Sequence, residues 1–277
     1  MCGVSFNIVK SSFGLIILIM DQLLTQSLMD AYFKGMALYA KISPFENHQR
    51  FHDPNQIDKY SHNFLFLNNQ PIHHSLITNY IALTKSFGFT QWVTFSQQHQ
   101  HQLLSYLHAH QPSVETLVMM AAPITTLLKR IQPTNPQVQI ESLHPNHQTT
   151  FLNFNFALDL EYGETYAKGN GKRIYNVIQQ NPLNAGFLLA KTPDKMVGQL
   201  GYYVFDSVGE IDEFYVAEDH QKQGVGKTLF HHAIQLLQTR KVKTIMLVTN
   251  PTSDAHKIYQ RWGFEDVMSI YQTRIKF

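Results

Sequence analysis

The hexapeptide Gln221–Gly226 has the residue types and spacing of a loop that binds a phosphate group. Its two glycines, Gly224 and Gly226, follow an apolar segment that ends at Val216 and precede an amphipathic segment. Glycine has no Cβ, so the backbone of such a loop can approach a bulky anion closely, and the unpaired N–H groups at a helix start point toward it. The helix dipole adds to the attraction, and Lys227 would lie in the first turn. These residues predict an anion cradle.

A Gly-x-Gly pair after a strand is a weak signal on its own, because tight strand-to-helix turns also use glycine. Two other phosphate-binding motifs do not fit. The spacing before Gly226-Lys227 is not that of a P-loop, and a dinucleotide fingerprint would open a parallel βαβ unit. The strand that ends at Val216 instead closes an antiparallel run. A structural turn and a cofactor cradle therefore both stay open at this point.

The elements that must position this loop follow from the hydrophobic pattern. From about Val138 the chain predicts the order β-α-α-β-β-β-α-β-α-β. Turn residues at Thr192–Asp194 and Asp206–Gly209 join three successive strands as hairpins. A helix at Gly226–Gln238 follows the loop, and Ser253–Trp262 predicts another helix before the last strand.

The motif Phe214-Tyr215-Val216 followed by Gln221–Gly226 resembles the GNAT superfamily of N-acetyltransferases, whose loop reads Gln/Arg-x-x-Gly-x-Gly/Ala. The family's second block is matched downstream by Asn250, Ala255, Tyr259 and Gly263-Phe264. The element order also agrees with the family fold from Val138 to Phe277. The resemblance implies an α/β (α+β) class, the GNAT acyl-CoA N-acyltransferase fold, with a mixed, mostly antiparallel sheet flanked by helices.

The resemblance further implies acetyl-CoA as co-substrate and no metal. The pyrophosphate would lie on the backbone amides of Gln223–Lys227, with Gln221 shaping the turn. The pantetheine arm would run between the strands Glu210–Val216 and Thr244–Thr249, which splay apart. The implied cofactor-binding residues are Phe214, Tyr215, Val216, Gln221, Lys222, Gln223, Gly224, Val225, Gly226, Lys227 and Asn250.

Direct attack of a substrate amine on the thioester is the reaction that the resemblance implies, and it needs a base and an acid. Tyr259 matches the family's acid for the departing thiolate, although a tyrosine there could also only pack against the sheet. Glu213 is the expected base, with Glu210 and Asp212 as alternatives, directly or through water. A carboxylate on a strand could equally be an exposed residue without a catalytic role. A backbone amide around Phe214–Val216 would polarise the thioester carbonyl.

The first half of the chain predicts alternating strands and helices, and thus an α/β layer. Proline at 133 and 136 interrupts the pattern, so we expect an N-terminal α/β domain over residues 20–132 and an acetyltransferase domain over 138–277. The first half lacks a second Gln/Arg-x-x-Gly-x-Gly motif. Leu83–Phe89 nevertheless echoes Ile258–Phe264, and we expect a degenerate, non-catalytic GNAT-like half.

Composition and charge exclude several classes of protein. A formal net charge of +2 without a Lys/Arg-rich run gives no indication of a nucleic-acid partner. The single cysteine, Cys2, excludes an intrachain disulfide and fits a reducing compartment. The 15 histidines lack the Cys or Asp/Glu partners of a metal site, so we expect none.

The apolar run Phe13–Met20 is too short for a membrane span and has no cleavage pattern after it. We expect a cytoplasmic protein without a membrane partner. Met20 is as good a start as Met1, so residues 1–19 are expected to be a non-native or disordered extension.

Together these features predict an enzyme that acetylates a primary amine of a small molecule or peptide. The alternative is a non-catalytic acyl-CoA-binding sensor or regulatory module. The sequence identifies neither the amine nor the oligomeric state, and a homodimer is compatible with it.

Overall fold

The computed structural model describes residues 5–68 and 70–277, and of residues 5–20 the backbone alone. Within these residues the chain forms eight α-helices and eleven β-strands. The helices are α1 Ser5–Ala37, α2 His74–Thr84, α3 Gln97–Leu107, α4 Ile124–Arg130, α5 Gln148–Asp159, α6 Glu164–Gln180, α7 Val225–Thr239 and α8 Asp254–Trp262. The strands are β1 Lys41–Phe45, β2 His48–His52, β3 Phe64–Phe66, β4 Phe89–Thr94, β5 Ser113–Pro123, β6 Gln139–Ser142, β7 Ala185–Lys191, β8 Met196–Phe205, β9 Val208–Val216, β10 Thr244–Thr249 and β11 Glu265–Lys276.

All eleven strands belong to one sheet, in the order β1-β2-β3-β4-β11-β5-β10-β9-β8-β7-β6. Two neighbouring pairs are parallel, β3 with β4 and β9 with β10, and the others are antiparallel. Alternate residues of a strand face opposite sides of a sheet. Accordingly, Leu188 of β7 packs with α7, whereas Phe187 and Leu189 pack with α5 and α6. The predicted mixed, mostly antiparallel sheet flanked by helices is confirmed.

The two halves of the chain share one topology. The unit β3-α2-β4-α3-β5 in the first half matches β9-α7-β10-α8-β11 in the second, and each unit has one parallel strand pair. The halves also exchange a strand: β5 lies between β10 and β11, and β11 lies between β4 and β5. Each half therefore completes the sheet of the other. The division into 20–132 and 138–277 stays a prediction, while the sheet runs through both segments.

The sequence echo between the halves does not mark equivalent positions. Gly88 follows α2 and precedes β4, whereas Gly263 follows α8 and precedes β11. Both glycines have left-handed backbone conformations, with φ of 79° and 101°, as helix C-termini commonly do. The similarity of these two segments thus reflects a common way for a helix to end. The two halves are related instead by their strand order.

Most predicted elements of the second half are present within a residue or two. The hairpin of β1 and β2 was not predicted; its five-residue strands are rich in polar residues and lack a clear alternation. The predicted extension of residues 1–19 falls partly outside the described residues and stays a prediction. None of the helices in the described part combines the length and the apolar character that crossing a bilayer requires.

Candidate active site

The two central strands of the second half separate at one end. β9 and β10 pair only from Val208 with Thr244 to Glu210 with Met246, so the remaining residues of β9 have no partner in β10. A cavity of about 490 Å³ lies at this opening, between the end of β9, the start of α7, and α8. Its walls are formed by Phe214, Tyr215, Val216, Gln221, Lys222, Gly224, Gly226, Lys227, Asp254, Ala255, Ile258, Tyr259 and Trp262.

A β-bulge shapes the wall that β9 contributes. Between the pairs Gln199 with Tyr215 and Gly201 with Asp212, β9 has one residue more than β8. Glu213 adopts a left-handed conformation there, with φ of 49°. A non-glycine residue in that region costs roughly 1–2 kcal/mol, and such strain is typical of functional sites. The bulge was not predicted from the sequence, because nothing in Asp-Glu-Phe indicates it.

The residues of the predicted cradle lie in the loop before α7 and in its first turn. Gly224 has a φ of 83°, and within the described residues the backbone N–H groups from Gly224 to Lys227 donate no hydrogen bond. A Cβ on Gly226 would come within 3.2 Å of the Phe214 ring. The side chain of Gln221 donates to the carbonyl of Val216 at 3.0 Å and so closes the turn. The start of α7 thus has unpaired backbone amides and the positive end of a helix dipole, an arrangement that suits a bound anion.

The segment between the two halves supports this cradle from behind. Thr134 and Asn135 donate their backbone N–H groups to the Thr228 hydroxyl at 3.1 and 3.0 Å. The side chain of Asn135 donates to the carbonyl of Gln223 at 3.0 Å. A Cβ on Gly224 would lie 2.4 Å from the Thr134 hydroxyl oxygen, so only glycine fits there. The sequence showed this segment merely as a proline-flanked boundary.

The predicted cofactor-binding residues do not all reach the cavity. Gln223 and Val225 are not part of its wall; Val225 is buried, so it can offer only its backbone amide. Asn250 lies outside the wall at the end of β10, where its Oδ1 accepts hydrogen bonds from the backbone and hydroxyl of Thr252. Asp254 and Trp262, which line the cavity, were not predicted.

Tyr259 lies on the α8 side of the cavity, packed against Phe230 and Trp262 with ring centres 6.3 and 5.9 Å away. Its hydroxyl has no hydrogen-bond partner in the described part of the chain. Burial, with a smaller contribution from the charge of Asp212, raises the pKa of Tyr259 to about 12. The phenol therefore keeps its proton throughout the neutral range, as a proton donor must.

Three carboxyl groups follow one another along β9. Glu210 is buried beside Gly35 of α1, and its Oε2 has no partner among the described residues. Burial, then the charge of Asp212, raises the pKa of Glu210 well above its usual value. The Asp212 side chain reaches solvent at one side and is surrounded by protein on the others. Desolvation by the surrounding protein, and next the charge of Glu213, raises the pKa of Asp212 to about 6.

The Glu213 carboxylate faces α6 and the first half of the chain. Its Oε1 lies 3.5 Å from the ammonium of Lys59, whose side chain is 14% exposed. Lys59 also donates to the Oδ1 of Asn170 on α6 at 3.1 Å. The first half of the chain thus contributes directly to the surroundings of the expected base, which the sequence did not show.

Comparison with known proteins relates part of the second half to a family. Residues 154–264 match the model of the acetyltransferase (GNAT) family. A search of curated proteins found no match. In the described residues, no group of three His, Cys, Asp or Glu side chains is placed to hold a metal ion.

Solved structures are similar over both halves. A functionally unknown conserved protein from Staphylococcus epidermidis ATCC 12228 has a TM-score of 0.70 at 19% identity, covering 88% of this chain and 97% of that chain. A GCN5-related N-acetyltransferase from Kribbella flavida has a TM-score of 0.58 at 12% identity, with 89% and 93% covered. A tandem GNAT protein from the clavulanic acid biosynthesis pathway has a TM-score of 0.56 at 8% identity, with 77% and 75% covered. These likenesses concern the fold.

Proposed function

We propose that the protein transfers the acetyl group of acetyl-CoA to a primary amine, in keeping with the match of residues 154–264 to the acetyltransferase (GNAT) family. The observation that carries the proposal is the cavity at the separated ends of β9 and β10. One end of this cavity offers the unpaired amides of Gly224–Lys227, and a protonated tyrosine lies on its wall.

The cradle suits a pyrophosphate. The amides at the start of α7 would bind its oxygens, and the ammonium groups of Lys222 and Lys227 lie on the same wall. The edge of β9 beyond Glu210 has no ladder with β10, so its backbone groups are left for a pantetheine arm. Acetyl-CoA would supply the activated thioester.

The expected base on β9 and the expected acid on α8 would transfer the two protons of the reaction. The amine nitrogen forms the C–N bond while the C–S bond breaks, and a proton must leave the nitrogen as the sulfur gains one. Glu213, with Asp212 beside it, would accept the proton from the amine, directly or through water. Tyr259 would give its proton to the sulfur. A sensor that only binds acyl-CoA would need neither group.

The test combines binding and turnover in the full chain. Acetyl-CoA should raise the melting temperature, because it binds only the native state. Incubation with a panel of amines should then release CoA thiol and yield N-acetylated product, detected by mass spectrometry. Stabilisation without release for any amine would leave only the sensor; no stabilisation at millimolar acetyl-CoA would overturn both functions.

A further inference from the structure

A second cavity, of about 450 Å³, lies where the two halves of the chain meet. The segment 58–61, the strands β5 and β11, and α6 form its walls. We propose that it is the acceptor site and that it takes an amine with a second positive charge, an α,ω-diamine or a longer oligoamine. This inference rests on the proposed function.

The first argument is the link to the expected base. Lys59 lines this second cavity, and its ammonium is the group that lies 3.5 Å from the Glu213 carboxylate. An alkylammonium from the protein itself therefore already occupies the position that a reacting amine would have to reach. Asn170, which is 3% exposed, orients that ammonium through its Oδ1. The geometry beside Glu213 suits the end of an alkylamine.

The second argument is the unpaired negative charge on the wall of this cavity. The two cations on the wall are already engaged: Lys59 with Glu213 and Asn170, and Arg274 with its guanidinium carbon 4.0 Å from the centre of the Tyr60 ring. The carboxylates of Asp58 and Glu115 are exposed and form no ion pair or hydrogen bond within the described residues. Two unpaired carboxylates favour a ligand that brings its own cation.

The third argument is the aromatic lining. Tyr60, Tyr162 and Tyr166 contribute to the walls, and the rings of Tyr162 and Tyr166 lie 5.7 Å apart. Tyrosine faces attract ammonium groups and also cover methylene chains. The guanidinium of Arg274 is held on this wall by the Tyr60 ring and by Gln91, whose Oε1 accepts from its Nη1 at 3.5 Å. The tyrosine faces thus suit the ammonium groups and the methylene chain of an oligoamine.

A matched pair of amines tests the inference. The probes are 1,5-diaminopentane and 1-aminopentane, which share the chain and the reacting amine and differ in the second ammonium. With acetyl-CoA and the full chain, we expect kcat/KM to be about tenfold higher for the diamine, chiefly through KM. In the double variant Asp58→Asn/Glu115→Gln this ratio should fall to near one. The double variant Asp194→Asn/Glu265→Gln, which removes two exposed carboxylates elsewhere, should keep it.

Calorimetric titration of both amines without acetyl-CoA separates the inference from the proposed function. Tighter binding of the diamine that is lost in Asp58→Asn/Glu115→Gln supports the acceptor site even if no transfer occurs. Equal binding of the two amines, or a preference that the double variant keeps, overturns the inference even if acetyl transfer to some other amine is observed.

Discussion

The two halves of the molecule share a topology and differ at the parallel strand pair in the centre of each. In the second half β9 leaves β10 after Glu210. In the first half β3 stays with β4 to its end and beyond, where the N–H of Leu67 donates to the carbonyl of Val93 at 2.8 Å. Trp92 of β4 is fully buried against the helices on that face. The first half thus has a closed sheet where the second has an opening.

The connections that follow these strands differ in the same sense. The segment 67–73 before α2 contains no glycine, and Pro71 has no N–H to offer. The loop before α7 has Gly224 in a left-handed conformation and unpaired amides. The comparison teaches that the shared fold supplies only a frame. Under the proposed function, the opening between the strands and the exposed helix start would turn that frame into a cofactor site.

The largest expected effect is the loss of both acetyl-CoA binding and turnover when the predicted cradle is blocked. Gly224→Glu puts a side chain where Thr134 lies and a negative charge on the amides, so acetyl-CoA should no longer stabilise the protein. At an acetyl-CoA concentration of 100 times Kd, the variant would lose about 2.7 kcal/mol of ligand-induced stabilisation. The measurement is the melting temperature with and without acetyl-CoA.

The matched control is Gln70→Glu, in the equivalent connection of the first half, which should keep the full stabilisation. Circular dichroism without ligand checks that both variants fold. Loss of the acetyl-CoA effect in Gln70→Glu as well would show that the two connections do not differ in function.

The next effect concerns the helices after the central strands. Tyr259→Phe removes the proton donor and should lower kcat by about 10²–10⁴-fold, while acetyl-CoA still stabilises the protein. Tyr106→Phe on α3, the equivalent helix, removes only a hydroxyl that donates to the carbonyl of Ile72 at 3.4 Å. Its kcat should stay within about twofold. Steady-state kinetics decide, and an unchanged kcat in Tyr259→Phe would remove this tyrosine as the acid.

The smallest effect is a pH dependence that only the second half should cause. Because the pKa of Asp212 is raised to about 6, the rate should increase as pH rises through 6 and the carboxylate forms. Asp212→Asn should lower the rate at pH 7 only about tenfold, because Glu213 remains as a base. The variant should also lose the increase in rate between about pH 5 and 7. The measurement is the acetylation rate from pH 5 to 8. The control Asp194→Asn should keep the increase in rate near pH 6.

The same variant has the opposite effect on stability. The pKa of Asp212 is higher in the folded chain, about 6, than its ordinary value of 3.8, so folding favours the protonated carboxyl. The contribution of Asp212 to the stability of the fold is fully present below about pH 3.8 and is lost as pH rises through about 6. Asp212→Asn resembles the protonated form, so it should raise the melting temperature at pH 7 relative to the native chain. A lower melting temperature of Asp212→Asn at pH 7 would contradict the raised pKa of this carboxyl.

Local patterns were enough for much of the second half. The glycine spacing of the loop, the turn residues between β7, β8 and β9, and the stripe on α7 all reflect neighbours in the chain, which is why they could be predicted. The hairpin of β1 and β2 and the bulge at Glu213 could not, because pairing partners rather than residue types create them.

The sequence by itself determined the order of elements in the second half, since hydrophobic periodicity and turn residues are local. The cradle, the acid Tyr259 and the base Glu213 stay predictions, of which the acid rests on the family resemblance. Tertiary structure alone decided that β5 and β11 change places, that Thr134 and Asn135 hold the loop, and that Lys59 meets Glu213. Those contacts join residues about 90 to 160 positions apart, as the separations of 93 and 154 show. Long-range packing sets them, and no local pattern encodes it.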